Sequence, residues 1–300
     1  MNNIIIPFPN MENFKFFTEN NIDGFLIGIE GYSENFNYLI KEEDLEKICN
    51  ILKEKQKKIF IMLNKVYFNE KIEDVKSLLY FLSKLDVNAV VFSDMGVLNI
   101  VKENNLNLDL VWYSKLVTNS KTINFLEKRG IKGFFCSEEL TIDEYIEINK
   151  KTNSKCVIKL FGHNKMATSS RKLISNYFKY TNIDKDSKNK YYFKDKMGDE
   201  EYIVIESENT NFYTSKILNG LLEYKRLINE NIDPTIILDD YMIPESIFYN
   251  VIEAFIALKN CPNDDDFAEK LKMVVDANCF NNTYNGFLNK KTIFKVKNNE

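Results

Sequence analysis

KIFIMLN (residues 58–64), IEDVKSLLYFLSKLD (72–86) and NAVVFSD (88–94) follow one another with short loops between them, and their alternation decides the fold. The outer two are near-continuous apolar runs, as strands buried on both faces are; the middle one is an amphipathic helix. The unit recurs roughly every 30 residues, the length of a strand, a helix and their loops. Before it stand NIIIP (3–7) with the helical MENFKFFTEN (11–20), and DGFLIGIEG (23–31) with KEEDLEKICNILKEKQ (41–56). In the last of these, Leu45, Ile48, Cys49 and Leu52 share one helix face. After it come GVLNIVKENN (96–105), LDLVWYS (108–114) with SKTINFLEKRG (120–130), and IKGFFCSEE (131–139) with TIDEYIEINKKT (141–152). KCVIKLFG (155–162) follows, and PTIILDD (234–240) with IPESIFYNVIEAFIALK (243–259) comes late. Eight such strands imply a parallel sheet covered by helices, and favour a closed, TIM-like (β/α)8 barrel over an open doubly wound sheet. No G-x-G-x-x-G follows a strand, so the dinucleotide fingerprint is missing.

Two regions break the rhythm. Residues 179–215 are polar and tyrosine-rich, and YIVIESENTNFY (202–213) alternates as strands do. The tail has a turn signal at Asn285–Gly286 and a strand-like TIFKV (292–296). The chain is therefore expected to be one domain, 1–300, with 179–215 as a β-containing insertion before the last unit and 277–300 as a C-terminal extension. The stretch LFGHNKMATSSRKLISNYF (160–178) reads as a strand, an irregular loop at MATSSRK and the start of a helix.

Forty basic residues against 44 acidic ones leave a net charge of −4, which gives no global pull toward phosphate backbones. Five cysteines, with no CxxC pair, write neither a zinc ribbon nor a redox dithiol, and a single histidine rules out a multi-histidine metal site. The opening MNNIIIPFPNMENFKFF lacks the basic flank and apolar core of a signal peptide. No apolar run approaches the roughly 20 residues that cross a bilayer. A reduced, cytoplasmic chain with no bound metal and no membrane partner is expected.

Sites of (β/α) barrels form at the carboxyl ends of the strands. Those ends carry Glu30, Asn64, Asp94, Ser114, Glu138 with Glu139, His163, and Asp239 with Asp240. Such a ring can support acid–base or hydrolytic chemistry, and His163 has the side chain whose pKa lies nearest working pH. Asp94 immediately precedes the helix GVLNIV, so capping competes with catalysis there. A Ser-His-Asp triad can be drawn from Ser114 or Ser169 with His163 and Asp94, but no G-x-S-x-G elbow accompanies it. Cys136 reads as a buried structural thiol. In MATSSRK, Ser169 and Ser170 are N-cap types, and Arg171 offers a fork of donors to a carboxylate or phosphate. Lys165, Arg171 and Lys172 together make a positive rim beside an acidic mouth.

In its pieces and their order the chain resembles the collagenase-like peptidases of family U32, in the form found in low-GC Gram-positive bacteria and their wall-less relatives. IIIP and IDGFLIGIEGYSENF match the first two strands, IMLNKV with Asn64 the third, and VVFSDMGVL the fourth. LVWYSKLVTNS, with Ser114 and Asn119, matches the fifth strand and its loop. SEELTIDEY resembles the family's E-L-[ST]-x-x-E segment and puts Glu139 at the matching acid. Gly162, Met166, Ser169, Arg171 and Leu173 match a G-x-x-x-M-x-x-S-x-R-x-L pattern, and YNGFLNKKTIFKV the closing segment.

The resemblance implies a (β/α) barrel and a peptidase, hence a hydrolase, of unassigned catalytic type. Its catalytic candidates are His163, Asp94 and Glu139, and its substrate-binding candidates Glu30, Asn64, Ser114, Ser169, Arg171 and Asp239. Other relatives hold an iron–sulfur cluster on four cysteines and take part in hydroxylating RNA or quinone precursors. Aligned on Arg171 and Ser175, two of those cysteines correspond to Lys165 and Lys172, and an ammonium cannot replace a thiolate on iron, so no iron–sulfur cluster and no other cofactor is expected. The family's H-G step reads Phe161–Gly162 here, with the histidine at His163, and its arginine before Glu139 is Glu138. A second reading follows: a catalytically degenerate barrel that binds a peptide, a small anion or RNA as a partner subunit. A third is an accessory of RNA modification. A peptide or small anion is the expected partner, RNA is neither excluded nor indicated by the charge, and oligomeric state is not legible.

Overall fold

The computed structural model describes residues 3–12, 14–19, 21–194 and 201–290. Strands β1 (Asn3–Pro7), β2 (Gly24–Gly28), β3 (Lys58–Leu63), β4 (Ala89–Phe92), β5 (Leu110–Tyr113), β6 (Gly133–Phe135) and β7 (Lys155–Gly162) are parallel neighbours in chain order. Then come β8 (Lys165–Ser169), β9 (Lys190–Lys194), β10 (Glu201–Glu206), β11 (Thr210–Thr214), β12 (Ile217–Asn219), β13 (Thr235–Leu238) and β14 (Thr283–Tyr284). β13 pairs in parallel with β7 on one side, Thr235 opposite Val157, and with β1 on the other, Ile236 opposite Ile4. The sheet thus closes on itself as the eight-stranded, TIM-like barrel that the alternation implied.

The helices α1 (Phe14–Glu19), α2 (Leu45–Glu54), α3 (Ile72–Leu82), α4 (Met95–Glu103), α5 (Ser120–Glu127) and α6 (Ile142–Lys150) cross from strand to strand. α7 (Leu173–Thr181) belongs to the added sheet, and α8 (Leu221–Asn229), α9 (Glu245–Asn260) and α10 (Asp265–Asn278) complete the chain. In α2 the buried residues are Leu45, Ile48, Cys49 and Leu52, the face its spacing implied. Local chemistry sets several helix starts. Asp94 accepts from Gly96 N at 2.8 Å, Asn119 from Thr122 N at 2.9 Å, and Thr141 with Glu144 forms a capping box.

Period two along the strands divides the core. Ile5, Leu26, Met62, Val91, Val111, Phe135, Val157 and Ile237 meet in the lumen, while Ile4, Ile6, Phe25, Ile27, Val90 and Ile236 join the larger core under the helices. Each such side chain contributes about 1.5–3 kcal/mol on burial. The lumen is therefore filled by apolar side chains with only a small apolar gap among them, and the recess with polar groups lies above it, at one mouth.

A four-stranded antiparallel sheet, ordered β8-β11-β10-β9, stands outside the ring. YIVIESENTNFY forms its hairpin, β10 and β11. MATSSRK departs from the expected loop: Lys165–Ser169 is strand β8, with Ser169 opposite Thr210 and Ala167 opposite Phe212. This edge strand is largely exposed and polar, so it lacks the alternation that marks half-buried strands. Tertiary pairing with β11 makes it a strand. β12 runs antiparallel to β7 with Leu218 opposite Gly162, and β14 pairs with β12. Gly286, at the expected turn, has φ of +56°. TIFKV lies outside the described residues.

Candidate functional site at the barrel mouth

Above the apolar lumen, at the carboxyl ends of the strands, lies a recess. Continuing the inward period of each strand explains its lining. Lys159 follows Val157 on β7 and Tyr113 follows Val111 on β5, while Asn64 follows Met62 just past the end of β3 and Asp239 follows Ile237 just past the end of β13. Loop and added-sheet residues close the sides, chiefly Glu34, Phe36, Glu138, Lys165, Tyr213 and Tyr241.

Lys159 organises the floor. Its Nζ donates to the carbonyl of His163 at 2.6 Å and pairs with Glu138 at 3.2 Å and Asp239 at 3.4 Å. Burial disfavours the ammonium, but the Glu138 and Asp239 carboxylates outweigh it and raise the lysine above its ordinary pKa. A lysine held this firmly charged is an electrostatic fixture, unsuited to act as an amine nucleophile. Higher up, Lys165 pairs with Glu34 at 2.8 Å. Burial opposes the Glu34 carboxylate, yet Lys165 holds its pKa below the usual value. Asn64 fixes the Glu34 backbone from both sides, accepting from its N–H at 2.9 Å and donating to its carbonyl at 3.0 Å. Lys115 donates to the carbonyls of Lys165 and Met166, which ties the β5 loop to β8. Three lysines and three carboxylates thus line the recess in balance.

His163 is 8% exposed and meets the Thr214 carbonyl at 2.8 Å through Nδ1. Only a protonated Nδ1 can bond to a carbonyl, so a neutral ring has its acceptor lone pair at Nε2. Burial lowers the pKa of this histidine, with the Lys159 and Lys190 charges acting the same way. Among the described residues Nε2 has no hydrogen-bond partner. The walls are flat and apolar: Tyr113 stands edge-on to Phe135 at 5.2 Å, Tyr213 packs 5.5 Å from Tyr241, and the Tyr213 hydroxyl bonds Asn35. Burial raises the pKa of the Tyr113 and Tyr213 phenols, so both remain neutral donors.

Gly162 makes the turn out of β7 possible. Its φ is +119°, and a Cβ there would lie 2.6 Å from the Asp239 carbonyl oxygen. Only glycine lets the two strands that carry His163 and Asp239 come this close.

Of the residues singled out in the sequence, His163, Asn64, Ser114 and Asp239 line the recess together. Asp94 does not; both its oxygens are engaged, by Gly96 N and by Tyr67 N at 3.0 Å. Glu139 is exposed and outside it, while its neighbour Glu138 is inside. Glu30 and Arg171 are also exposed and outside. Ser169 accepts from Arg171 N on the edge strand. Sequence reasoning passed over Lys159, though a lone charge in the apolar run KCVIKLFG signals a buried partner. Nothing local marks Glu34 or Tyr213, which arrive through tertiary contacts.

The donor set does not suit a four-cysteine cluster. Cys49, Cys136, Cys156 and Cys279 are buried and Cys261 is exposed. Among the described residues no group of three or more His, Cys, Asp or Glu is placed to hold a metal ion. No helix among them is long and apolar enough to cross a membrane.

A closed parallel barrel with a recess at the carboxyl mouth defines the class: a TIM-like (β/α)8 barrel protein. The family model for peptidase family U32 matches residues 9–295, and the chain belongs to that family. It is 29% identical over 216 residues to tRNA hydroxylation protein P2 of Bacillus subtilis strain 168, covering 70% of each chain. It is 28% identical over 156 residues to an uncharacterized protease, MJ0090, of Methanocaldococcus jannaschii, covering 50% of this chain and 37% of that one. Among solved structures it is similar to the U32 peptidase Mk0906, with a TM-score of 0.49, 13% identity, and coverage of 80% of this chain and 92% of the other.

Proposed function

We propose that this chain acts in tRNA hydroxylation, and that its barrel mouth receives an RNA base. The observation that carries the proposal is the recess itself: flat aromatic walls, neutral phenols and the His163 imidazole in its lining. A heteroaromatic ring that offers N–H donors and carbonyl acceptors fits such walls and donors. The likeness to a protein named for tRNA hydroxylation supports the same assignment. With no cysteine set suited to a cluster, the chain's part is to hold and orient the base, with the oxidant supplied by another component.

Peptide hydrolysis has less support. Ser114 Oγ accepts from Leu116 N and Ser137 Oγ from Glu139 N, and neither is bonded to His163. The Cys136 thiol is pushed up by its contact with Cys156 and by burial, the opposite of an activated nucleophile.

The test is nucleoside mass spectrometry on tRNA from Bacillus subtilis lacking tRNA hydroxylation protein P2. Expression of this chain is expected to restore the hydroxylated nucleoside, and His163→Ala is expected to reduce the restored level about tenfold or more. Unstructured peptides are offered to the purified chain in parallel. No restoration, with peptide cleavage that His163→Ala abolishes, would return the chain to the peptidases.

A further inference from the structure

The net charge of −4 conceals a local excess. Residues 165–194 carry eight lysines and arginines against two aspartates, a net of +6, and six tyrosines and phenylalanines. Strand register decides where part of this set points, because residues directly opposite in an antiparallel ladder share a face. Tyr192 is opposite Ile203, Lys190 is opposite Ile205, and Ile203 is in turn opposite Tyr213. Ile203, Ile205 and Tyr213 pack on Tyr241 and Met242 beyond β13, so this face turns toward the barrel mouth.

Tyr213 lines the recess, and two strand spacings outward, about 10 Å, the same face continues on β9 as Lys190, Tyr192 and Lys194. There it is open. Tyr192 is 63% exposed, with the Lys190 ammonium 5.8 Å from its ring centroid. Among the described residues, Glu206 pairs with Lys185 and Glu208 with Lys65, while Glu201 stands opposite Lys194 across the ladder. Lysines alone would suit an edge strand guarded against aggregation. An open tyrosine among them works against that protection and calls for a ligand with both a flat ring and negative charge.

We propose that the mouth-facing side of β9 is a docking lip for single-stranded RNA. The base next to the one in the recess stacks on Tyr192, and its phosphates lie against Lys190 and Lys194. The chemistry is that of single-strand binding surfaces, where aromatic platforms alternate with cations that follow the backbone. The lip rests on the RNA assignment of the recess, and its test separates the two.

Fluorescence anisotropy with labelled tRNA measures Kd and its salt dependence for the full chain. Tyr192→Ala is expected to weaken binding about tenfold. Lys190→Glu with Lys194→Glu is expected to weaken it further and to reduce the slope of log K against log salt by about 1.4, two single-strand phosphate contacts. Phe193→Ala, on the opposite face of the same strand, is expected to stay within about twofold of wild type. Wild-type affinity and slope in the lip variants would overturn the lip while leaving tRNA binding intact. No tRNA binding by the wild-type chain would remove both proposals. Equal losses at Phe193 and Tyr192, or loss of a protein partner with tRNA affinity unchanged, would also overturn it.

Discussion

Lys159 and Asp240 show how single residues set the mouth. Lys159→Met leaves Glu138 and Asp239 facing each other without a cation. Urea denaturation is expected to show a loss of about 2–3 kcal/mol, below the range for fully buried pairs because both carboxylates keep some solvent. A neutral result would mean that the three charges are held apart by water. Asp240 has a buried Oδ1 without a hydrogen-bond partner, and burial, with the Asp239 charge adding to it, pushes its carboxyl up to about 7. Between about pH 4 and 7 the folded chain holds a proton that the unfolded chain has released, so this group's contribution to stability falls as pH rises through that window. Asp240→Asn is expected to match wild type near pH 4 and to exceed it above pH 7, in urea midpoints measured at both. A difference independent of pH would contradict the assignment. At this scale the sequence was only partly legible: His163, Asn64, Ser114 and Asp239 line the recess because strand ends point to the mouth. Asp94 and Glu139 lie outside it, because helix capping and the choice between adjacent acids depend on backbone angles that residue type does not carry.

Among the elements, α7 and its sheet depend on Glu206 of β10. Its carboxylate accepts from Ile174 N at 2.8 Å and Ser175 N at 3.1 Å, from the Ser175 hydroxyl, and from Lys185 at 2.9 Å. Burial works against the charge, but the Ser175 and Lys185 bonds hold the pKa down at about 2. An acid at a helix start is also favoured by the helix dipole. Glu206→Gln is expected to cost about 1–3 kcal/mol above pH 5, with the difference shrinking as pH falls from about 4 toward 2. Hydrogen exchange localised to α7, β8 and β10 checks it, and uniform exchange across the barrel would contradict a local role. The hairpin β10–β11 was legible from its alternation. β8 was not, because an exposed polar edge strand is defined by its partner, β11, rather than by its own residues.

For the whole molecule, the barrel was the most legible feature, since each strand is buried on both faces and each helix on one, and burial writes period into sequence. The added sheet was harder to read because it turns its hydrophobic side to the mouth through only Ile203, Ile205 and Tyr213. Barrel and sheet together enclose a recess walled by rings and balanced in charge, beside a basic, aromatic edge. The most direct measurement is photo-crosslinking of thiouridine-substituted tRNA to the full chain, with the attached peptides mapped by mass spectrometry. Crosslinks are expected on the peptides that carry Tyr113, His163 and Tyr213. Crosslinks confined to the outer helices, or none while the tRNA is bound, would contradict an RNA base in the barrel mouth.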